Sequence, residues 1–466
     1  TGMGASLGRS FSTICANSST ARRLRLPWPQ ISTPRRSTAG SAWKSAKALV
    51  SLYEWLDPIR RAAMDQASLD LFNAQAQDAG PIGVLRPSPF DLSDLLKGWS
   101  GPRPLRVCSG GTSSLAAAQN QWTLDLRPQL NRIVWQSTDH AVWVGGGCRM
   151  RDVLQALLPH GQSIPIGLSG MPGLGYVLTG GMGPRSRALG LAIDHILDIR
   201  GVWGNGEEFW LQRHRDADSA EWRGLCGAAP FLAVVSEVRL LTHPRIPLWV
   251  EQCRLRSDAL PDWMQEAEAS DPSICLQWHW GDADRLDILR VYGEDPGVSK
   301  IQRIDGLDQL PALVVPSPGA DRVHSEVVGL LGPAGAADWK ERMPLLRDCM
   351  DRRPHSSCSL SCQQLGGATS LVPSDRTSFL HRDAVWKPWI TAGWVAGDLA
   401  MRQRSLQWLE ELWSVLQPLC PGVHLAQLHD HLPFHQRELE QAFGGWLPGL
   451  KALKQKVDPA GNLPPL

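Results

Sequence analysis

Nineteen of the chain's 44 glycines fall between Gly98 and Gly206, under a quarter of its 466 residues. Glycine is used where backbone must reach positive φ or approach another group closely. Interleaved with apolar runs, this density reads as a turn-rich β domain or as a surface of tight loops made for a large ligand. Order and spacing carry the reading further. Val107-Cys108, followed by Ser109, Gly110, Gly111, Thr112, Ser113 and Ser114, is a strand end that opens into a loop of small residues. Successive backbone N–H groups in such a loop form a nest suited to a pyrophosphate. The glycine spacing is not that of a dinucleotide-binding βαβ turn, and a β-like TLDL segment follows at 123–126. A second cluster, Gly180-Gly181-x-Gly183, follows an apolar run and precedes Arg185 and Arg187. Its glycines let backbone lie against a flat ring system, and the arginines suit phosphates or acidic partners.

Composition narrows the classes. With 43% hydrophobic and 20% charged residues the chain is ordinary for a globular protein, and its length suggests two domains. A net charge of +1 argues against nucleic-acid or membrane-surface partners. No uninterrupted apolar run reaches transmembrane length. Ten scattered cysteines and no leading apolar segment point to a reducing, cytoplasmic setting. Residues 1–63 differ: no Asp or Glu precedes Glu54, and Arg, Ser and Thr are frequent. They read as a disordered or non-native extension, either a transit peptide or a frame opened upstream of Met64.

Along the chain, 64–77 reads as a helix, and 82–98 as a strand, prolines and a short helix. Residues 150–161 form a helix stopped by Gly161. Asn205-Gly206 between β-like runs marks a hairpin, and 231–241 is a buried strand. Beyond residue 247 glycine thins out. Helix-like pieces (260–270, 336–350, 405–419) and alternating strands (273–281, 285–293) suggest an antiparallel sheet with helices on one face. Residues 296–335 give no clear element.

Together these pieces resemble the FAD-binding domain of the vanillyl-alcohol oxidase superfamily, the PCMH-type flavin fold, in its berberine-bridge-enzyme-like branch. The matching motifs are SGGTSS, the LDL strand, VGGG with VLQALLPHG, GYVLTGGMG, RALGLAIDHILDI, AVVSEVRL and the C-terminal AFGGWLPGLKALKQKVDPAGNL. The resemblance implies an α+β fold. Residues 64–244 would bind FAD, 245–430 would form a substrate domain with an antiparallel sheet covered by helices, and 431–466 would return to the FAD-binding domain. It implies an oxidoreductase, an oxidase or dehydrogenase, that takes a hydride from an alcohol-type carbon. The partners would be a small substrate, such as a carbohydrate or hydroxy acid, and an electron acceptor. A flavin-fold binding protein without turnover, or a nucleotide-binding protein without flavin, are the rival readings.

By the same resemblance Ser109 to Ser114 would hold the pyrophosphate, and Gly180, Gly181 and Gly183 would flank the flavin ring or ribityl chain. Asp194 would lie near that second loop, and Val234 and Val235 beside the ring. The chain departs from the family in two places. Thr112 stands where covalent members carry a flavin-linked His, and 166–170 (IGLSG) lacks the second linking Cys, so FAD is expected to be non-covalent. The family's Tyr-x-Asn-Tyr segment becomes Leu425, Gln427 and Leu428, and the chain's tyrosines are Tyr53, Tyr176 and Tyr292. Gln427 can keep the Asn's hydrogen-bonding role. His381 resembles a His-Arg pair on a substrate-domain strand and is the candidate catalytic histidine; His279 is a weaker one. His424, His429, His431 and His435 with Asp430, and His355 with Cys358 and Cys362, match no standard zinc spacing, so no metal is expected.

Overall fold

The computed structural model describes residues 64–65, 69–167, 169–313 and 322–466. The expectations for residues 1–63 lie outside them. The architecture is α+β, built on two sheets in the first half and one large sheet in the second.

The first sheet has four strands, in the order Met64–Asp65, Gly83–Leu85, Trp122–Asp125, Arg106–Cys108. Two of its three strand pairs are parallel, Gly83–Leu85 with Trp122–Asp125 and Trp122–Asp125 with Arg106–Cys108. The helix expected at Met64 is a correction: Met64 and Asp65 pair antiparallel with Leu85 and Val84, and the helix starts later, at Ala74–Asp78, where Asn73 accepts from the Ala76 N–H. A two-residue strand is set by its partner rather than by its own pattern. The second sheet is antiparallel, in the order Ile133–Gln136, Ala141–Gly145, Ala233–Leu241, Ile196–Trp203, Glu208–Gln212. Its last two strands are the hairpin that Asn205-Gly206 predicts. The helix Met150–Leu157 runs on through a 3₁₀ turn to Gly161, whose φ of +63° ends it.

The large sheet has eight strands, all antiparallel, in the order Gln302–Ile304, Leu248–Arg256, Arg285–Tyr292, Ile274–Asp282, Ser359–Gln364, Trp386–Val395, Val323–Leu331, Gly422–Val423. Two of these strands lie in the stretch that sequence left unassigned. Helices Leu260–Glu268, Ala336–Asp351 and Leu399–Leu416 cover one face. Trp278 and Trp339 meet edge to face there, both fully buried, with ring centroids 5.9 Å apart. Trp386 donates its indole N–H to Glu268 on the first of those helices. Alternation along a strand then sends Gln277, Gln363 and Lys387 to the opposite face. Near the C-terminus, helix Leu447–Val457 packs on Ala220–Leu232, and Asn462 donates to the carbonyls of Leu96 and Gly204.

Trp339 joins helix to sheet with no solvent exposure. Trp339→Ala should cost about 3–5 kcal/mol by the cavity it leaves, read as an earlier midpoint in denaturant unfolding. A midpoint unchanged from the parent would show that this layer does not hold the sheet.

Candidate functional site

Two glycine loops and one face of the large sheet meet in the middle of the chain's described part. The first loop leaves strand Arg106–Cys108. Ser109 Oγ donates to the Gly146 carbonyl at 2.6 Å, and the Gly146 N–H donates to Ser236 at 2.7 Å. A side chain on Gly146 would sit 2.4 Å from the Val235 carbonyl oxygen, and one on Gly110 2.3 Å from the Gly173 nitrogen. Gly111 has φ +74° and its carbonyl accepts from Phe72 and Asn73. Ser113 Oγ accepts from the Leu115 N–H, and Ser114 Oγ donates to Glu326 at 2.8 Å. Thr112 is half-buried between them. The structure therefore brings Ser109–Ser114, the VGGG turn and Val235 together from both sheets of the first half. Val234, its neighbour, is fully buried. A cavity of about 560 Å³ opens beside this convergence, lined by Asp125, Arg127, Gly147 and Arg149 among others.

The second loop bends at Gly180 (φ +131°) and Gly181 (φ +70°). A Cβ on Gly183 would overlap the Ile166 carbonyl, and one on Gly181 would lie 2.4 Å from the Ala192 side chain. Gly180 faces Phe379 and His424. These conformations and close approaches admit glycine alone. Asp194 follows. Its carboxylate accepts from the Leu191 N–H and pairs bidentately with Arg382, 2.9 Å at each oxygen, with both side chains under a tenth exposed. Asp194 thus holds the second loop to the segment before Trp386–Val395. Arg187 is buried and donates to the carbonyls of Ser270, Asp271 and Ile274.

On and beside the sheet face that the second loop reaches through His424 stand groups that sequence ranked low or missed. His381 is not on a strand. It lies in the segment before Trp386–Val395, against Gly422, with Nε2 donating to the Gln441 carbonyl at 2.7 Å. Gln427 lies against Gly329, its Oε1 3.4 Å from His424 Nδ1. His424 is 1% exposed, its Nε2 has no hydrogen-bond partner among the described residues, and Tyr176 meets its ring edge on. Burial, then the nearby Lys387, pushes the His424 imidazole well below its usual range, so it is neutral. Lys387 is 6% exposed, over the Trp389 ring, and no carboxylate among the described residues pairs with it. Burial lowers its ammonium to about 8. The signal for Lys387 was present in WKPW, a lysine inside an apolar strand.

His429 and His431 join a latch of buried carboxylates. Glu326, fully buried, accepts from Ser114, Gln75 and His431. His429 bridges Glu326 and Glu438. Asp430 pairs with Arg106 at 2.9 Å and lies beside His431. His279 bonds Ser361.

Two outcomes follow from this geometry. Gly110→Ala should weaken FAD binding at least about tenfold while Gly445→Ala, which meets open space, leaves it unchanged; flavin titration measures both. His431 is raised to about 9 despite its burial, by Asp430 and Glu326. The protonated form is the bound one, so its stabilisation is full below about 6.5 and lost as pH rises through about 9. The melting temperature of the parent should exceed that of His431→Gln at pH 6 and converge with it above pH 9. A constant gap across that range would contradict the latch.

Residues 91–212 match the family described as FAD binding domain. The chain is 29% identical over 194 residues to the FAD-linked oxidoreductase pgmH of Aspergillus terreus, covering 41% of this chain and 38% of that protein. It is 24% identical over 400 residues to an FAD-linked oxidoreductase of Dictyostelium discoideum, covering 80% and 85%. The wild-type BBE-like 1 structure of Physcomitrella patens superposes with a TM-score of 0.70 at 17% identity, over 85% of this chain and 92% of that one. The glycine loops fit the cofactor these relatives share, because they leave room for backbone to meet it directly. Residues 91–212 are thus similar to an FAD binding domain, the chain is similar to FAD-linked oxidoreductases and shares the fold of a BBE-like protein, and its cofactor is FAD.

Proposed function

We propose that the protein takes a hydride from an alcohol-type carbon of a small substrate, with FAD held non-covalently and Lys387 receiving the hydroxyl proton. FAD, when bound, supplies the hydride acceptor. The chain's part is to hold the substrate against the flavin and move the proton.

One observation carries the reading. Lys387 is a buried amine without a carboxylate partner, on the sheet face that meets Gly180 through His424. Burial without a counter-charge favours the neutral amine, which is the form that accepts a proton. Neutral His424 adds no charge beside Lys387, and Gln427 lies beside its Nδ1. His381 is committed to the Gln441 carbonyl and anchors its segment instead. The non-covalent reading rests on Thr112, whose hydroxyl is no match for an imidazole as a flavin-linking nucleophile, and on the absence of Cys from 166–170. Buried Cys108, next to the first loop, is pushed up to about 12 and stays a thiol.

Acid precipitation should release all of the yellow colour into the supernatant; colour in the pellet would contradict the non-covalent reading. Anaerobic bleaching of the flavin by hydroxylated substrates, carbohydrates and hydroxy acids first, tests the oxidation. Its rate should rise with pH to a plateau above about 8, where Lys387 is neutral. Lys387→Met should lose that limb and about 10²–10⁴-fold in rate with flavin content intact. Unchanged bleaching in Lys387→Met would remove Lys387 from the chemistry. FAD that binds but is bleached by no alcohol would point to a flavin-fold binding protein.

A further inference from the structure

Beside Lys387 on the same face lie two buried amides. Gln363 is its cross-strand partner, and Gln277 is the partner of Gln363 on the next strand. Gln277 is fully buried and Gln363 2% exposed. Gln277 Oε1, an acceptor, and Gln363 Nε2, a donor, both lack hydrogen-bond partners among the described residues. The Gln277 amide N–H₂ reaches only the Cys275 sulfur, at 3.8 Å. Buried amide groups are nearly always satisfied, because an unmade bond in the interior costs the full desolvation of the group. These two are neighbours of opposite hydrogen-bonding sense that do not bond each other.

A hydroxyl group answers both: it donates to Gln277 Oε1 and accepts from Gln363 Nε2. An anion does not, since it offers no donor to Oε1. We infer that Gln277 and Gln363 read a second, non-reacting hydroxyl of a neutral substrate whose first hydroxyl is oxidised beside Lys387. The substrate then carries at least two hydroxyls on neighbouring positions, because directly paired residues on adjacent strands stand about 5 Å apart. The inference rests on the reading of this face as the oxidising site. It makes the two amides specificity-determining rather than catalytic.

The test uses the FAD-loaded full chain with two probes, cyclohexanol and trans-1,2-cyclohexanediol, titrated against the visible spectrum of the flavin. The diol should bind at least about tenfold more tightly than the mono-ol. In Gln277→Leu/Gln363→Leu that preference should vanish, while the melting temperature holds or rises, since apolar groups replace unsatisfied buried amides. Gln363→Met alone should lose most of the preference. Equal affinity for the two alcohols, no perturbation by either, or a preference that survives in the variants overturns the inference. So does a double variant that melts earlier or fails to fold when Gln363→Met folds and keeps the preference, which gives the amides a structural or water-holding role. Bleaching separates this from the oxidation reading: tight diol binding without bleaching sinks the oxidation and keeps the recognition. Bleaching by both alcohols at equal affinity does the reverse.

Discussion

The structure depends on backbone approaching backbone where no side chain fits. Gly110 against Gly173, Gly146 against Val235 and Gly183 against Ile166 each leave too little space for a methyl group. These contacts join loops from two sheets and from the turn that follows Met150–Leu157. They fix the backbone of the first loop, the VGGG turn and the second loop in place. A nest of that kind favours an anionic, pyrophosphate-bearing ligand through geometry rather than through arginine charge. The same constraint explains why the arginines near the second loop are spent elsewhere. Arg187 satisfies carbonyls at the start of Ile274–Asp282, and Arg382 neutralises Asp194.

Those two arginines tie the glycine loops to the large sheet. The Arg382–Asp194 pair is buried and bidentate, so removing either partner would strand a charge in the interior, which costs several kcal/mol. Ser114 adds a third tie, through Glu326 on Val323–Leu331. The face opposite Glu326 carries Lys387, Gln363 and Gln277, and His424 follows strand Gly422–Val423. It holds polar groups that the protein's own side chains leave unsatisfied. Stability alone would favour apolar residues there.

Much of this was legible in the sequence, in uneven measure. The loops were readable because glycine and small-residue clusters have local meaning, and their order along the chain is long enough to be specific. The hairpin at Asn205-Gly206 and the helix stop at Gly161 were readable for the same reason. Asp194 was readable as a cap, yet its partner lies 188 residues away and leaves no local trace. In the His-Arg pair the sequence drew attention to His381, whereas Arg382 is the member that reaches the second loop. Lys387, Gln363 and Gln277 emerge only when strand register is known, because a period of two gives the alternation but not which strands are neighbours. Met64–Asp65 failed for the opposite reason: its amphipathic surroundings mimic a helix, and pairing with Val84 and Leu85 decides otherwise.

The most direct measurement is a crystal structure of the protein loaded with FAD. The account predicts the pyrophosphate on the backbone of Ser109–Ser114, and the ring between Gly180 and the sheet face, with Lys387 and His424 on its substrate side and no bond to Thr112. A ring lying elsewhere, or Lys387 turned away into an ion pair, would contradict it.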